Sequence, residues 1–268
     1  MPTTRLPTNA RLDRLSALLQ AAAPRVELGA PHAQCQGQPN CLSMGLLASE
    51  GSNTPHSLVV AQTHRSTDMG TPTVALQVHL DGPGAPMLLR EFAQALVVPL
   101  RGADDALALA VQLLYRELVA PRCGQSAMLA SAGNMLFIGL LRHLVAQPQT
   151  RQGLFAGLSD PRIAVALVAM HEQPHTGWVL ESLAERAGMS RTAFATRFKD
   201  AMGTSPGKYL TQLRLLIAER AVQSGKGLKG AARATGYKDA SALSRALGRA
   251  RSQGGRVATT GAALHTGL

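Results

Sequence analysis

The chain has 268 residues, a length that suits one large domain or two domains of ordinary size. Its hydrophobic content of 46% with only 3% aromatic residues favours Ala/Leu-rich helices over strands. The net charge of +11 favours nucleic acid, or less readily an anionic membrane surface, as a partner. Residues 160–268 hold 16 Lys and Arg against 7 Asp and Glu, so the C-terminal part is expected to face the polyanion.

Neither membrane insertion nor secretion is expected. No apolar run approaches the roughly 18 residues that span a bilayer, and the N-terminus has no apolar signal segment. The three cysteines, Cys35, Cys41 and Cys123, do not make a disulfide framework, and a reducing cytoplasm is the simplest setting. A redox switch at Cys35 and Cys41 is the alternative, although no basic cluster beside them would stabilise a thiolate.

The first hundred residues give mixed signals. Leucines at helical spacing predict a helix over residues 11–23, which Pro24 ends. Residues 26–73 are loop-like, because Gly, Pro, Ser and Asn interrupt short apolar pieces. The alternating VALQVHL predicts a strand at Val74–Leu80, and the DGPG that follows predicts a turn.

Two longer helices are predicted over residues 104–119 and 126–146. The second is apolar over much of its circumference, so it is expected to be buried or to form a dimer or interdomain surface. The text QPQTRQGLFAGLS at residues 147–159 has the composition of a linker. Asp160 and Pro161 then have the residue types of a helix cap and a first helical position.

Residues 180–201 carry the most specific pattern, LESLAERAGMSRTAFATRFKDA. A short first helix breaks at Gly188, a residue type that tolerates the left-handed conformation of a tight turn. Ser190 has the type of an N-cap for a second helix, in which Phe194 and Phe198 lie on one face at i,i+4 spacing. This spacing predicts a helix-turn-helix motif.

A degenerate copy of the motif lies 48 residues downstream. The text LKGAARATGYKDASALSRALGRA places Gly236 at the turn and Asp239 at the cap. Leu243 and Leu247 stand in place of the two phenylalanines. Between the copies, SPGKYLTQLRLLIAERAV predicts a long connecting helix that would face both subdomains.

The region from residue 160 to 249 resembles the DNA-binding domain of the AraC/XylS family of transcriptional regulators. The matching text includes LESLAERAGMSRTAFATRFKDAMGTSPGKYLTQLRLLIAERAV and the later ATGYKDASALSRAL. Upstream, LQVHLDGPGAPMLL and CGQSAMLASAGNMLFIGLLRHLVA resemble the subgroup with a cupin-type N-terminal domain.

This resemblance implies a mixed fold. A regulatory or dimerisation domain would occupy residues 1–150, with a small cupin-like β region at about 26–100, short for a full barrel, and helices at about 104–146. A linker at 151–159 would precede an all-α DNA-binding domain with two helix-turn-helix motifs at 160–251. The partners implied are double-stranded DNA, RNA polymerase, a second copy in a homodimer and a small-molecule effector.

The resemblance also implies that each recognition helix, at about 191–201 and 240–250, enters a major groove. It assigns base contacts to the outward side chains of those helices: Thr192, Ala195, Thr196, Ala240, Ser241, Ser244 and Arg245. Basic residues nearby are candidates for phosphate contacts, which position a protein without reading sequence: Arg191, Arg197, Lys199, Lys208 and Arg249.

The second copy departs from the family pattern. Ala231 stands where a bulky β-branched residue is usual, and Leu243 and Leu247 replace an aromatic pair. The closing Ser-Pro and aromatic-Arg helix is missing, and residues 252–268 are expected to form a disordered tail. We therefore expect a second subdomain that is loose in the absence of DNA.

Two alternatives to a DNA-binding regulator stay open. A metal-dependent cupin-type enzyme needs a histidine–carboxylate site, but His32, His56, His64 and His79 lack the tight spacing of such sites. We therefore predict no metal, cofactor or catalytic residue, and we expect surface or structural histidines. An effector-binding protein that has lost DNA binding is the other alternative. An ordinary basic helical bundle does not explain two spaced motifs together with the charge bias.

Overall fold

The computed structural model describes residues 13–29, 40–48, 55–62, 74–101, 105–148 and 150–260. An antiparallel sheet with flanking helices forms the N-terminal domain, and every described element after it is a helix. The mixed fold class predicted from the sequence is confirmed.

The sheet has five antiparallel strands in the order β1-β4-β2-β3-β5. They are β1 (Pro24–Gly29), β2 (Cys41–Ala48), β3 (Pro55–Ala61), β4 (Val74–Leu80) and β5 (Leu96–Pro99). The prediction of β4 is confirmed with its bounds, whereas the loop-like reading of residues 26–73 is wrong for β1, β2 and β3. Six consecutive residues of β2 are buried, so its sequence lacks the alternation that reveals a half-exposed strand.

Helix α4 lies against the sheet and against α3. The N-terminal helices are α1 (Ser16–Ala22), α2 (Ala85–Arg90), α3 (Asp105–Val119) and α4 (Gln125–Ala146). A Cβ added at Gly133 of α4 would lie 2.7 Å from Val26 Cγ1, and one at Gly139 would lie 3.1 Å from Leu107 Cα. The two glycines therefore allow α4 to approach β1 and α3 closely.

Helix α4 is the one helix in the described part of the chain whose length and mean hydropathy, 1.4, would allow it to cross a membrane. The most apolar 18-residue stretch of α4 is 56% buried within the protein. Leu136, Phe137 and Leu140 are fully buried there. Packing inside the chain therefore accounts for most of the apolar circumference seen in the sequence.

Seven helices form the C-terminal part of the described chain. Its helices are α5 (Leu154–Ser159), α6 (Pro161–Glu172), α7 (Leu180–Arg186), α8 (Arg191–Met202), α9 (Pro206–Gln223), α10 (Leu228–Thr235) and α11 (Ala240–Thr260). The predicted linker is wrong for α5, because Leu154, Phe155 and Leu158 are buried in the core. The backbone of α11 continues to Thr260, into the segment predicted to be a disordered tail, and residues 261–268 lie outside the described range.

The two domains share one continuous hydrophobic core that extends from α1 to α9. The Phe92 and Phe155 rings meet edge to face across the domain boundary with centroids 6.0 Å apart. Glu91 Oε1 accepts a hydrogen bond from Leu154 N at 3.0 Å, and burial raises the pKa of this carboxyl. Arg14 Nη1 donates to the Leu158 carbonyl at 3.1 Å. These contacts fix the start of the C-terminal domain against the sheet domain.

The described cysteines differ in state. Cys41 is buried at the start of β2 and is disulfide-bonded, whereas Cys123 is exposed as a free thiol. The expectation that the cysteines stay reduced is therefore wrong for Cys41. Cys35 lies outside the described residues.

Candidate nucleic-acid interface

Helices α7 and α8 form the first helix-turn-helix unit, as predicted. Leu183 of α7 packs with Phe194 and Phe198 of α8; both phenylalanines are fully buried, and their ring centroids are 5.6 Å apart. In the turn, Gly188 has φ +63°, a conformation that costs a residue with a side chain more than it costs glycine. The Ser190 side chain accepts from Ala193 N at 3.3 Å and caps α8.

The first unit is supported from behind by α6 and α9. The Phe198 ring meets Tyr209 of α9 edge to face with centroids 5.8 Å apart. The Tyr209 hydroxyl lies 2.8 Å from Nε2 of His171 on α6, in hydrogen-bonding contact. Burial lowers the pKa of His171 to about 4, so the imidazole is neutral at neutral pH. Helix α8 therefore packs, through Phe198, against the buried side chain of Tyr209, which in turn contacts His171.

The outer face of α8 presents the predicted base-contacting residues to solvent. Thr192 and Thr196 are exposed, and so is Lys199 one turn further along. Ala195 is half-buried, because it lies next to the inward Phe194. The predicted orientation of the helix is confirmed, while the base contacts themselves stay predictions.

Helices α10 and α11 form the second unit, whose core is small and separate from the main one. The buried members of this second core are Ala218, Ala231, Ala232, Leu243 and Leu247. Gly236 ends α10 with φ +73°, and the Asp239 carboxylate accepts from Ala242 N at 2.7 Å. The turn and the cap predicted from the degenerate copy are therefore confirmed.

The start of α11 carries the second set of predicted base contacts. Ser241, Ser244 and Arg245 are exposed on it, and Ala240 is half-buried. Apart from Arg245, each of these side chains is small. Close approach of a helix backbone to DNA is therefore sterically open on this face.

The five predicted phosphate contacts fall into two groups. Arg191 Nη1 lies 2.7 Å from Glu181 Oε1, and Arg197 donates to the carboxylate of Asp160. Within the described residues the other three form no ion pair, and all three are exposed: Lys199, Lys208 and Arg249. Three cations are thus free to meet phosphate, and two are held by acidic neighbours.

A further group of basic residues was not predicted. Four exposed cations lie on or beside α10: Lys226, Lys229, Arg233 and Lys238. The sequence could have indicated this basic group, because residues 221–238 contain no acidic residue. These residues surround the first helix of the second unit, an element that crosses the DNA backbone in helix-turn-helix complexes.

The histidines considered for a metal site are separated. His56 lies on β3, and His79 lies on β4 with Nε2 3.9 Å from Glu27 Oε2. His32 and His64 lie outside the described residues. In the part of the chain that the structure describes, no group of three or more His, Cys, Asp or Glu side chains is placed to hold a metal.

The comparisons define the class of protein. A family model described as a helix-turn-helix domain matches residues 183–252, and one described as a cupin matches residues 29–146. The predicted resemblance is therefore confirmed: a cupin model and a helix-turn-helix model match the chain in that order, and its relatives include proteins named as AraC-like regulators.

Three relatives illustrate the similarity. The chain is 39% identical over 108 residues to an uncharacterized HTH-type transcriptional regulator of Haemophilus influenzae. It is 38% identical over 117 residues to a Streptomyces lividans protein named as an AraC-like transcription regulator. It is 36% identical over 109 residues to RclR, an RCS-specific HTH-type transcriptional activator of Escherichia coli.

These alignments are partial. They cover 40%, 43% and 41% of this chain and 36%, 38% and 38% of the respective relatives. The chain therefore matches less than two fifths of the length of each of these three relatives. No solved structure matches the chain significantly.

Proposed function

We propose that this protein is a sequence-specific DNA-binding transcriptional regulator. The observation that carries the proposal is the pair of helix-turn-helix units joined by α9, each with an exposed second-helix face of small polar side chains. Successive major grooves on one side of B-DNA lie roughly 34 Å apart, so two such helices on one chain would read adjacent grooves. The relatives are named as transcriptional regulators. These names do not favour the two alternatives, a cupin-type enzyme and an effector-binding protein that has lost DNA binding.

Base readout would come from seven side chains on the two recognition helices: Thr192, Ala195, Thr196, Ala240, Ser241, Ser244 and Arg245. Arg245 is the long donor among them and suits guanine O6 and N7. The alanines and the threonine methyl groups suit thymine methyl contacts. Much of the specificity would therefore come from thymine positions and from groove shape.

Phosphate binding would supply most of the affinity. Lys199, Lys208 and Arg249 would contact phosphates directly, and Arg191 and Arg197 would do so by exchanging their acidic partners for DNA. With six or more phosphate contacts, affinity falls on the order of a thousandfold between about 50 and 200 mM salt. Together with the four exposed cations around α10, the candidates for phosphate contacts exceed six.

A homodimer would form through the α3–α4 hairpin. Four large apolar side chains are exposed on it, by 40% to 64%: Leu109, Val119, Met128 and Met135. Exposed apolar side chains of this size on one helical hairpin suit an interface between two copies. Met135→Glu is expected to convert a dimer to a monomer in light scattering, whereas Gln94→Glu, exposed on the sheet domain, serves as the control.

The remaining partners follow from the proposed role. The protein would act in the cytoplasm, where it would contact RNA polymerase beside its DNA site and respond to a small-molecule effector. No catalytic residue or cofactor is assigned. Transcription in vitro from a promoter that carries the selected site would separate activation from repression.

Selection from a pool of random duplex DNA at about 50 and 200 mM salt tests the central proposal. The wild-type chain should enrich one motif, and binding should fall steeply with salt. Arg245→Ala should relax one base position in the second half of the motif, and Arg142→Ala, an exposed cation of α4, should change nothing. Absence of enrichment at either salt would contradict the proposal.

A further inference from the structure

A cleft of about 930 Å³ lies between the two domains. One wall comes from α1 and the turn before α2, with Gln20 and Pro83, and the other from the ends of α6 and α9 and from α10. Leu213, Ile217 and Ala221 of α9 supply an apolar surface inside it. The volume is within the range of sites that hold small organic ligands, roughly 300 to 1,000 Å³.

The sheet-side wall of the cleft is rigidly packed. A Cβ added at Gly82 would lie 2.1 Å from the Ala21 carbonyl oxygen, so the turn and α1 meet backbone to backbone. The Gly84 amide donates to the same carbonyl at 2.7 Å. A wall of this kind is preformed, and preformed sites lose little entropy when a ligand binds.

The cleft lining carries two cations, Arg220 and Lys226, and two carboxylates, Asp81 and Glu172, and its charged hydrogen-bond donors lie on the two cations. Arg220 Nη2 donates to the carbonyls of Leu80 and Asp81 at 3.3 and 3.0 Å. Among the described residues its Nε and Nη1 donate no hydrogen bond, so two donor nitrogens stay available in the cleft wall. Lys226 adds an exposed ammonium group, while the Asp81 carboxylate is offset by Arg25 Nε at 3.7 Å.

One of the buried lining residues is an incompletely bonded histidine. His171 is 8% exposed, Nε2 faces the Tyr209 hydroxyl, and Nδ1 is buried without a hydrogen-bond partner within the described residues. An unsatisfied buried polar atom costs about 1–3 kcal/mol and calls for a water or ligand. A polar molecule in the cleft, or a water that it retains, would supply that partner after a small shift of the ring.

We propose that the cleft binds a small organic anion with an apolar body. The acid group would contact Arg220 and Lys226, and the body would lie on Leu213, Ile217 and Ala221. Such a ligand touches both domains at once, and α9 connects the two helix-turn-helix units. The ligand would change DNA affinity by altering how α9 is held against the sheet domain, an effect that rests on the proposed function.

The probe 8-anilinonaphthalene-1-sulfonate tests the site in the full chain without DNA, with N-phenyl-1-naphthylamine as its uncharged counterpart. Saturable one-to-one binding of the sulfonate is expected by fluorescence titration. Lys226→Met should weaken it about tenfold and leave the uncharged probe unchanged, because a hydrogen bond to a charged group is lost. Lys229→Met, outside the cleft lining, is the matched control.

Ala234→Phe provides a steric test, because Ala234 lines the cleft and is exposed. It should weaken both probes by about tenfold or more, while Ala93→Phe on the sheet domain should weaken neither. Equal sulfonate binding by all variants, or no saturable binding to the folded chain, overturns the site. DNA titrations with and without the sulfonate are run separately, so loss of DNA binding alone would contradict the proposed function and leave the cleft result standing.

Discussion

Arg197 of the recognition helix α8 donates a hydrogen bond from Nε to the carboxylate of Asp160, the residue that caps α6. Burial alone would raise the pKa of Asp160, but hydrogen bonds from Arg197 and from the backbone N–H groups of Arg162 and Ile163 lower it overall. The cap therefore stays ionised at neutral pH. The Asp160 carboxylate thus caps the N-terminus of α6 and also holds α8 against α6 through Arg197.

The Asp160–Arg197 pair is expected to couple energetically. Asp160→Asn and Arg197→Met should each lower the free energy of unfolding, and the double variant should lose about 1 kcal/mol less than their sum. The expected coupling is small, because the Arg197 side chain is 52% exposed to solvent. A urea-unfolding double-mutant cycle measures the coupling. Strict additivity would show that the pair contributes nothing, and the exposed Glu181–Arg191 pair gives a reference of smaller coupling.

Glu181 is expected to compete with DNA for Arg191. The Arg191 side chain lowers the pKa of Glu181 by hydrogen bonding, so this carboxylate is ionised wherever DNA binding is measured. Glu181→Gln should tighten DNA binding at low salt and steepen the plot of log K against log salt by about 1. Fluorescence anisotropy measures both quantities. Glu185→Gln, exposed on the same helix, should have a smaller effect; an equal effect would indicate general charge and no specific release of Arg191.

The second helix-turn-helix unit is expected to open independently of the first. Its buried core is built from three alanines and two leucines and is not part of the main cluster. Leu243→Ala should lower the free energy of unfolding of this unit by about 2–5 kcal/mol. It should speed amide hydrogen exchange in α10 and α11 alone. Leu183→Ala, in the main core, should speed exchange through α5 to α9.

DNA provides the control for that experiment. If the small core is loose in the free protein, a specific duplex should slow exchange in α10 and α11 more than in α7 and α8. Uniform exchange across α7 to α11 in the free protein would contradict two separate cores.

The helix-turn-helix units could be predicted from sequence because their signals are local. A turn glycine, a cap residue and an i,i+4 apolar pair all lie within about twenty residues, and Gly188, Ser190 and Phe194 occupy their expected places. The same holds for β4, whose apolar and polar residues alternate. Strand β2 was missed because both of its faces are buried.

The remaining errors concern long-range contacts. Helix α5 has a linker-like sequence, and the burial of Phe155 depends on partners distant in sequence, among them Phe92 of the sheet domain. Arg197 has the residue type expected of a phosphate contact. Its ion pair with Asp160 joins residues that lie 37 positions apart in the sequence, so no local pattern predicts it. The cleft requires residues from both domains, which no single motif brings together.

Gly82 is expected to tolerate no side chain. Gly82→Ala would drive a Cβ toward the Ala21 carbonyl oxygen, and the rigid backbone there forces a shift of α1 or of the turn. We expect a loss of about 1–3 kcal/mol, measured by urea unfolding. Gly230→Ala in α10, where a Cβ meets open space, should instead stabilise by about 0.5–1 kcal/mol. Destabilisation by Gly230→Ala would contradict the described position of α10.

His171 is expected to make the fold sensitive to acid. Burial lowers its pKa from 6.5 to about 4 in the folded chain, so between these values the unfolded chain binds a proton that the folded chain does not. Stability should therefore be complete above about pH 6.5 and fall as the pH is lowered, by up to about 3 kcal/mol near pH 4. Urea unfolding at several pH values across that window measures the slope.

His171→Gln removes the titrating group and keeps a side chain that can bond the Tyr209 hydroxyl. It should flatten the slope between pH 6.5 and 4, even if stability at neutral pH falls. His175→Gln, exposed on the same edge of the cleft, should leave the slope as in the wild type. A slope that survives in His171→Gln between pH 6.5 and 4 would contradict its assignment to His171, because a carboxyl with a lowered pKa such as that of Asp160 loses its stabilising effect mainly below about pH 4.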